Sequence, residues 1–431
     1  MPDTSNTPGQ NTPAAPPAGS GSSQPPSPAA QAQPIRQAQQ AAQAQQAQPQ
    51  GQSSGSSGFH PDTTPPYVLT QSGDFFVNRE FDRKVASFQR CSSLITGYKT
   101  LDRLQPFYPG LYVLGAISSL GKTTFAGQLA DQVAASGRWV IYVSLEQTPF
   151  EITSKSLARG FRRTNIDLAV QQHKPVDSFF APSSIDIRRG MAHGYPAELD
   201  QQIQHYVQHV GNRLCIVHGA FSLTVEDIID VVNAIITQLR KLPSASPDET
   251  PVLIVDYLQI VAPTMINGRI PDSKTSIDHV VHMLKAMQSE LDMTVLVISS
   301  LNRQNYLNPI DFESFKESGG IEYTADVMWG LQLGVMNQPG FHVKIGSDGK
   351  PHGPTSMAEK REMISQAKRA SPRKIDLICM KNRYGIASYS LGFDYFPRHD
   401  YFRPAFAPND PDAFSHDIIP PCIYQQAPGT P

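Results

Sequence analysis

Six short runs of apolar, largely β-branched residues recur between Leu111 and Met380: LYVLG (111–115), WVIYVS (139–144), LCIV (214–217), VLIVD (252–256), TVLVIS (294–299) and IDLICM (375–380). Each is nearly continuous in apolar character rather than alternating. That is the pattern of strands covered on both faces, as in parallel sheets. Longer segments with helical spacing separate several of them, and parallel strands need such crossovers. The expected fold class is therefore α/β, with a doubly wound, mostly parallel sheet. No internal repeat interrupts this rhythm.

The rest of the 431-residue chain is organised around that block. Residues 1–66 are dominated by Pro, Gly, Ser, Ala and Gln, with few charges, and bury too little apolar surface to offset chain entropy; a disordered tail is expected. Residues 67–91 read as a linker. Within it Phe81, Val85 and Phe88 fall on one helix face, suited to packing on their own domain or on a neighbouring subunit. The main domain is expected over 92–402, followed by a Pro-rich, loosely packed tail over 403–431. Inside the domain, 160–212 reads as a mostly polar helical elaboration. Residues 338–374 carry eight Lys and Arg against three acids and read as a mobile basic loop, either a solvated insertion or a second nucleic-acid contact.

The formal net charge of −2 offers no global nucleic-acid signature, although a groove or ring can concentrate positive charge locally. Cys91, Cys215, Cys379 and Cys422 are far apart and form no CxxC pair, so neither a zinc site nor a disulfide framework is indicated. With no basic start before an apolar stretch, and no run of about 18 apolar residues, no secretory signal and no membrane association are expected, and a cytoplasmic location is.

The strongest chemical signal is GAISSLGKTT (115–124), which follows the first strand and opens a helix stopped near Gly137. Backbone N–H groups at a helix N-terminus cradle phosphates, so Ser118, Ser119, Leu120, Gly121, Lys122, Thr123 and Thr124 are the expected nucleotide-binding segment. Gly121 lets the backbone approach, Lys122 brings charge to the outer phosphates, and the Thr123 hydroxyl is suited to Mg²⁺. The strict pattern has Gly at 116; here Ala116 stands there, with Gly115 one place early. Asp256 ends the apolar run VLIVD, where a carboxylate is unfavourable unless it holds something, here Mg²⁺ largely through water; a capping Asp is the plainer alternative. Glu146, just after the second strand, either polarises an attacking water or favours a helix N-terminus.

Together these residues resemble the C-terminal motor domain of DnaB-type replicative helicases. The likeness runs through TGYKTLD (96–102), GAISSLGKTT, VSLEQ, VDYLQI, SSLNRQNY (299–306), FKESGGIEYTADVMWGLQ (315–332) and MKNRYG (380–385), covering roughly 92–402. The helicase halves of primase–helicase proteins of bacterial mobile elements look particularly similar, with ISSLGKTTF in their phosphate loops. The resemblance implies a RecA-like P-loop NTPase fold. It implies a homo-hexameric ring that hydrolyses ATP with Mg²⁺, translocates on single-stranded DNA and unwinds duplex in DNA replication, with a primase or helicase loader as a further partner. Glu146 becomes the catalytic carboxylate, and Lys381 and Arg383 match the cations that reach a neighbouring subunit's nucleotide; the plainer alternative for KNR is a basic turn before a hairpin. DNA contacts are expected in 263–276 and 304–314, with Arg269, Lys274 and Arg303 as the cations. Two departures stand out. Ser300 occupies a position where many DnaB proteins carry a phosphate-sensing Gln; the shorter Ser would weaken sensing or move it to Asn302 or Arg303. Nothing here resembles the helical domain that docks primase. A RecA- or RadA-like recombination or loading ATPase remains an alternative, as does an ATP-binding assembly module without catalysis.

Overall fold

The protein is described by a computed structural model covering residue 77 and residues 80–91, 94–104, 106–190, 197–219, 222–243, 249–265, 268–302, 306–315, 318–347, 349–406 and 418–422. The expected disordered tail over 1–66 and Arg303 lie outside these residues, as does most of the C-terminal segment.

Strand β1 (Gly110–Ala116) leads to α2 (Lys122–Ala135), α1 being the preceding helix Phe81–Cys91. Next come β2 (Val140–Ser144), α3 (Pro149–Gln172), α4 (Ser184–Gly190), α5 (Ala197–Tyr206) and β3 (Leu214–His218). They are followed by α6 (Val225–Leu239), β4 (Val252–Asp256), α7 (Ser273–Leu291), β5 (Thr294–Ser300), α8 (Ser318–Thr324) and β6 (Val327–Leu333). The chain continues with the hairpin β7 (Val343–Ile345) and β8 (Pro351–Pro354), then α9 (Met357–Arg369) and β9 (Arg373–Asn382). Strands β10 (Ser390–Phe396) and β11 (Tyr401–Pro404) complete the main sheet.

The nine strands of that sheet run in the order β11-β10-β9-β6-β1-β5-β4-β2-β3. The six from β6 to β3 are parallel; β9, β10 and β11 extend one edge antiparallel. Strands β1, β2, β4 and β6 are buried at every residue, as strands covered on both faces must be. Helix α2 is buried along nearly its whole length, from Thr124 to Ala134, which explains why FAGQLADQVAA is apolar or small on more than one side. Helix α6 shows the complementary pattern, burying Val225, Ile228, Val232 and Ile236 on one stripe behind a Thr224–Asp227 capping box.

Three sequence expectations change. The run 375–380 belongs to an antiparallel strand whose burial alternates (Ile375, Leu377 and Cys379 inside) although its sequence is nearly continuously apolar. The basic stretch 338–374 is largely regular: β7, β8 and α9, the last started by a Ser356–Glu359 capping box and anchored by buried Ile364. Strand β11 extends the sheet to Pro404, past the boundary expected at 402, and Ile419 and Cys422 beyond it are buried.

Helix α1 packs on its own chain through Phe88, whose ring lies 5.6 Å from that of Tyr108 and 6.1 Å from that of Tyr384. Lys84 and Arg83 pair with Asp292, and Phe81, Val85 and Phe88 all remain partly exposed along the same face. No helix among the described residues is long and apolar enough to cross a membrane.

Candidate nucleotide site

The carboxyl ends of the parallel strands converge on one edge of the sheet. The register pairs Ala116 with Ser300 and Ser144 with Asp256, so the segments following β1, β5, β4 and β2 leave the sheet side by side. Ligands of open α/β sheets bind at such an edge.

The loop after β1 is shaped by two glycines. Gly121 is the N-cap of α2 with φ +87°, and a Cβ there would lie 2.9 Å from the Tyr395 ring. Conformation and space both require glycine at 121. A Cβ on Gly115 would lie 2.5 Å from the Phe315 ring, so the glycine one place before the usual position serves packing, and Ala116 stays buried in the strand. Ser118 and Ser119 are exposed on the crest, Ser119 with φ +68°, and Leu120 is buried beneath. Lys122 and Thr123 are half-buried in the first turn of α2.

Three groups from three elements meet beside this turn. Thr123 Oγ1 donates to Asp256 Oδ1 at 3.3 Å, and Tyr142 Oη donates to Asp256 Oδ2 at 2.8 Å. Burial pushes the Asp256 carboxyl above its usual range, opposed by the bonds from Tyr142 and Thr123 and by the charges of Lys155 and Lys122. Lys122 Nζ lies 5.7 Å from the centre of the Tyr257 ring. Burial pushes the Tyr257 hydroxyl's pKa up too, and the negative charges of Glu146 and Asp256 add to it. Glu146 is exposed in the turn after β2. That turn is held by the Ser144 hydroxyl, which donates to Gln147 O at 2.6 Å and accepts from Gln147 N at 3.0 Å, and by Lys155, which donates to Gln147 Oε1 at 2.9 Å. The helix N-terminus that follows is capped by Thr148 and Glu151, so Glu146 is not its capping acid. Thr124 turns away from the phosphate edge and donates to buried Asp400 at 3.1 Å.

Several contributors were not singled out from the sequence. Tyr142 is a hydroxyl inside an otherwise apolar strand, and a buried tyrosine tip demands a partner. Gln259 bridges to β5: its Nε2 donates to Ser299 Oγ at 2.8 Å and its Oε1 accepts from Ser300 N at 2.9 Å. Arg373, at the start of β9, donates to Ser119 O at 3.0 Å, pinning the crest of the phosphate loop. Asn302, a candidate phosphate sensor, instead spends its side-chain amide on the carbonyls of Glu313 and Phe315.

Lys381 and Arg383 do not join this cluster. Val327 pairs with both Tyr112 and Asn382, so the end of β9 is level with a residue four places before Ala116. At about 3.3 Å per residue that is about 13 Å down the sheet from the loop's origin. Arg383 instead donates to Asp326 Oδ1 at 3.0 Å and Tyr323 O at 3.1 Å, and Lys381 to Glu322 O. Burial and the neighbouring Arg383 lower the Lys381 ammonium's pKa.

In the first expected DNA-contacting segment, 263–276, of which residues 266–267 lie outside the described residues, Arg269 is exposed ahead of α7 and Lys274 is exposed in its first turn. Of the second expected DNA-contacting segment, 304–314, residues 304–305 lie outside the described residues; within the rest, Ile310 N donates to Gln332 Oε1 at 2.8 Å.

Known proteins resemble this chain in sequence and in fold. Residues 198–394 match the family model of the DnaB-like helicase C terminal domain. The replicative DNA helicase DnaB of Pasteurella multocida is 28% identical over 243 residues, 54% of this chain and 44% of that protein. That of Haemophilus influenzae is 26% identical over 259 residues, 57% of this chain and 47% of its own length. The chain thus spans under half the length of these curated relatives. Among solved structures, an isolated ATPase domain superimposes with a TM-score of 0.54 at 18% identity, covering 78% of this chain and 99% of that one. A DnaB-like replicative helicase studied with primase gives 0.52 at 18% identity, covering 77% and 66%. The fold is therefore that of RecA-like DnaB ATPase domains. The resemblance first carried by the sequence motifs holds: this chain is similar to DnaB-type helicases in their C-terminal domain.

Proposed function

We propose that this chain is the ATP-hydrolysing motor of a DnaB-like DNA helicase, acting in replication as a ring on single-stranded DNA. The carrying observation is the division of the site across the sheet. Lys122, Thr123, Asp256 and Glu146 gather at one edge, whereas Lys381 and Arg383 stand at the other. A cation that cannot reach its own chain's phosphates is suited to a neighbour's in a head-to-tail ring.

The residues fit a magnesium nucleotide. Thr123 and Asp256 offer hard oxygen donors within 3.3 Å of each other, and the left-handed Gly121 opens the helix N-terminus to a phosphate chain. Magnesium, when bound, neutralises charge on the phosphates. Lys122 adds a second positive charge there, and Tyr142 holds Asp256 in place. Glu146 accepts the proton of the attacking water. The neighbouring subunit's Arg383 offsets charge spreading over the transferred phosphoryl group, assisted by Lys381. A primase or loader as a further partner, and a chromosomal or mobile-element setting, rest on the family resemblance alone.

Mixing variants tests the shared site. Lys122→Ala and Arg383→Ala should each be inactive, the second by about 10³-fold if Arg383 behaves as other arginine fingers do. Mixed rings contain interfaces pairing an intact loop with an intact finger, so partial ATP hydrolysis should return. Mixed rings without any hydrolysis would overturn the shared site.

A further inference from the structure

The loop between β1 and α2 is braced from outside by the hairpin β9–β10. Because β9 runs antiparallel to β6, its first residue, Arg373, reaches the edge where β1 ends, while Lys381 and Arg383 at its other end do not. Arg373 Nη1 donates to Ser119 O at 3.0 Å, at the crest of the loop. Arg373 pairs with Tyr395 across the hairpin, and its guanidinium carbon lies 5.9 Å from the centre of the Tyr395 ring. That ring is buried, stacks on Phe402 at 4.3 Å and is the one a Cβ on Gly121 would strike. One hairpin thus meets the loop twice, at its crest through Arg373 and at the start of α2 through Tyr395.

The contact at the crest fixes the direction of a backbone donor. A trans peptide unit is planar, so its C=O and N–H point in opposite directions. With Ser119 O turned towards Arg373, Leu120 N–H points away from β9. Among the described residues this N–H has no partner. Ser119 itself takes φ +68°, a conformation that residues with a Cβ rarely adopt unless their surroundings hold them there. A left-handed residue in such a turn directs successive N–H groups to one side, which is the shape of an anion-binding nest. Arg373 is the side chain that holds this turn, and the chemistry assigned to Lys122, Thr123, Asp256 and Glu146 leaves it without another role.

We propose that Arg373 is a positioning residue for the nucleotide: by fixing Ser119 O it holds the left-handed turn that presents Leu120 N–H to the phosphate chain. This deepens the motor reading above and rests on it. Arg373 touches the loop and not the nucleotide; it reduces the ordering that the loop undergoes on binding, and such preorganisation acts on affinity.

The test is the affinity of the full-length protein, measured at equilibrium with Mg²⁺, for a fluorescent ADP and for a fluorescent, slowly hydrolysed ATP analogue. Arg373→Met keeps an apolar stem against Tyr395 and loses the donor. It should weaken both nucleotides about tenfold and equally, because backbone N–H groups of such a loop serve phosphates that the two share. Arg373→Lys should recover part of the loss, since a donor still reaches Ser119 O. Adding Ser119→Gly to Arg373→Met should also recover part, because glycine takes the left-handed conformation without a steric penalty. A guanidinium acting directly on phosphate has no such substitute in the loop. Lys122→Ala is the control. If it binds both nucleotides as the wild type does, the loop is not a nucleotide site, and the motor reading falls together with the proposal. If Lys122→Ala is weakened while Arg373→Met binds normally, the motor reading stands and the positioning role of Arg373 is overturned. A loss in Arg373→Met confined to the ATP analogue, or one that Ser119→Gly leaves intact, makes Arg373 a direct contact and overturns the positioning role as well.

Discussion

Replacing Tyr142 by Phe removes one oxygen atom from a strand buried at every residue and leaves its packing unchanged. The lost hydroxyl donates to Asp256 Oδ2 at 2.8 Å, and Asp256 is itself only 1% exposed. A hydrogen bond to a charged group contributes about 1.5–3 kcal/mol, and water has little access to take its place. Thr123 still reaches Oδ1, so the carboxylate keeps one partner. The bond from Tyr142 is the largest influence opposing the burial that raises the Asp256 carboxyl. Without it the pKa rises further, and a smaller share of the protein holds the carboxylate proposed to bind magnesium. About 2 kcal/mol corresponds to at most about 30-fold in apparent Mg²⁺ affinity during ATP hydrolysis, the full factor being reached only at pH values below the carboxyl's pKa. The defect should be deepest at low pH and shrink as pH rises, because alkali restores the ionised form. The assay is ATP turnover across a Mg²⁺ titration at several pH values, beside urea unfolding without metal to confirm the fold. A Tyr142→Phe protein with wild-type Mg²⁺ dependence, or with a defect independent of pH, would refute the reasoning.

Glu146→Gln should leave ATP binding near normal yet stop turnover, since it keeps the shape and removes the base; single-turnover hydrolysis beside fluorescent-nucleotide binding separates the two, and retained turnover would move the role to another carboxylate. Stability should also respond to acid through His205. Burial, reinforced by the charges of His209 and Arg163, lowers its pKa to about 4, against about 6.5 when unfolded. The folded state then binds fewer protons than the unfolded state between those values, so stability present above about pH 6.5 is lost as pH falls towards 4. His205 is only half-buried, so the loss should be about 1–2 kcal/mol rather than the full shift. His205→Leu should flatten the change in urea midpoint between pH 7 and pH 4.5, and an unchanged midpoint shift in the variant would remove His205 as its source.

The parallel core was legible because its central strands are buried on both faces, which leaves continuous apolar runs such as VLIVD and TVLVIS; LCIV, at the sheet's edge in β3, is partly exposed instead. Strand β6 (VMWGLQL) went unread as a strand: Gly330, where a Cβ would meet Ile310 at 2.2 Å, and Gln332, which holds Ile310 N, interrupt its apolar run for reasons of packing across the sheet. The sense of β9 was hidden for another reason. Direction depends on the connection, and α9 with the β7–β8 hairpin looked like a basic loop because charge outweighed its apolar stripe. In the candidate site, the tight turn over 118–123 and the helix it opens were readable because chain neighbours build them. Tyr142, Gln259 and Arg373 were not, since each acts across strands on a residue more than 35 positions away. Nor could spacing reveal that Lys381 and Arg383 stand at the far edge, a consequence of β9 running antiparallel to β6.

The central claim is that nucleotide hydrolysis at this site drives movement along DNA. Its most direct test is strand displacement by the purified full-length protein on forks with a 5′ or a 3′ single-stranded tail, with ATP and Mg²⁺ and with Lys122→Ala as control. The account predicts ATP-dependent unwinding of one tailed fork in preference to the other, absent in Lys122→Ala. Hydrolysis stimulated by single-stranded DNA without displacement of either strand would contradict it and favour a recombination or loading ATPase.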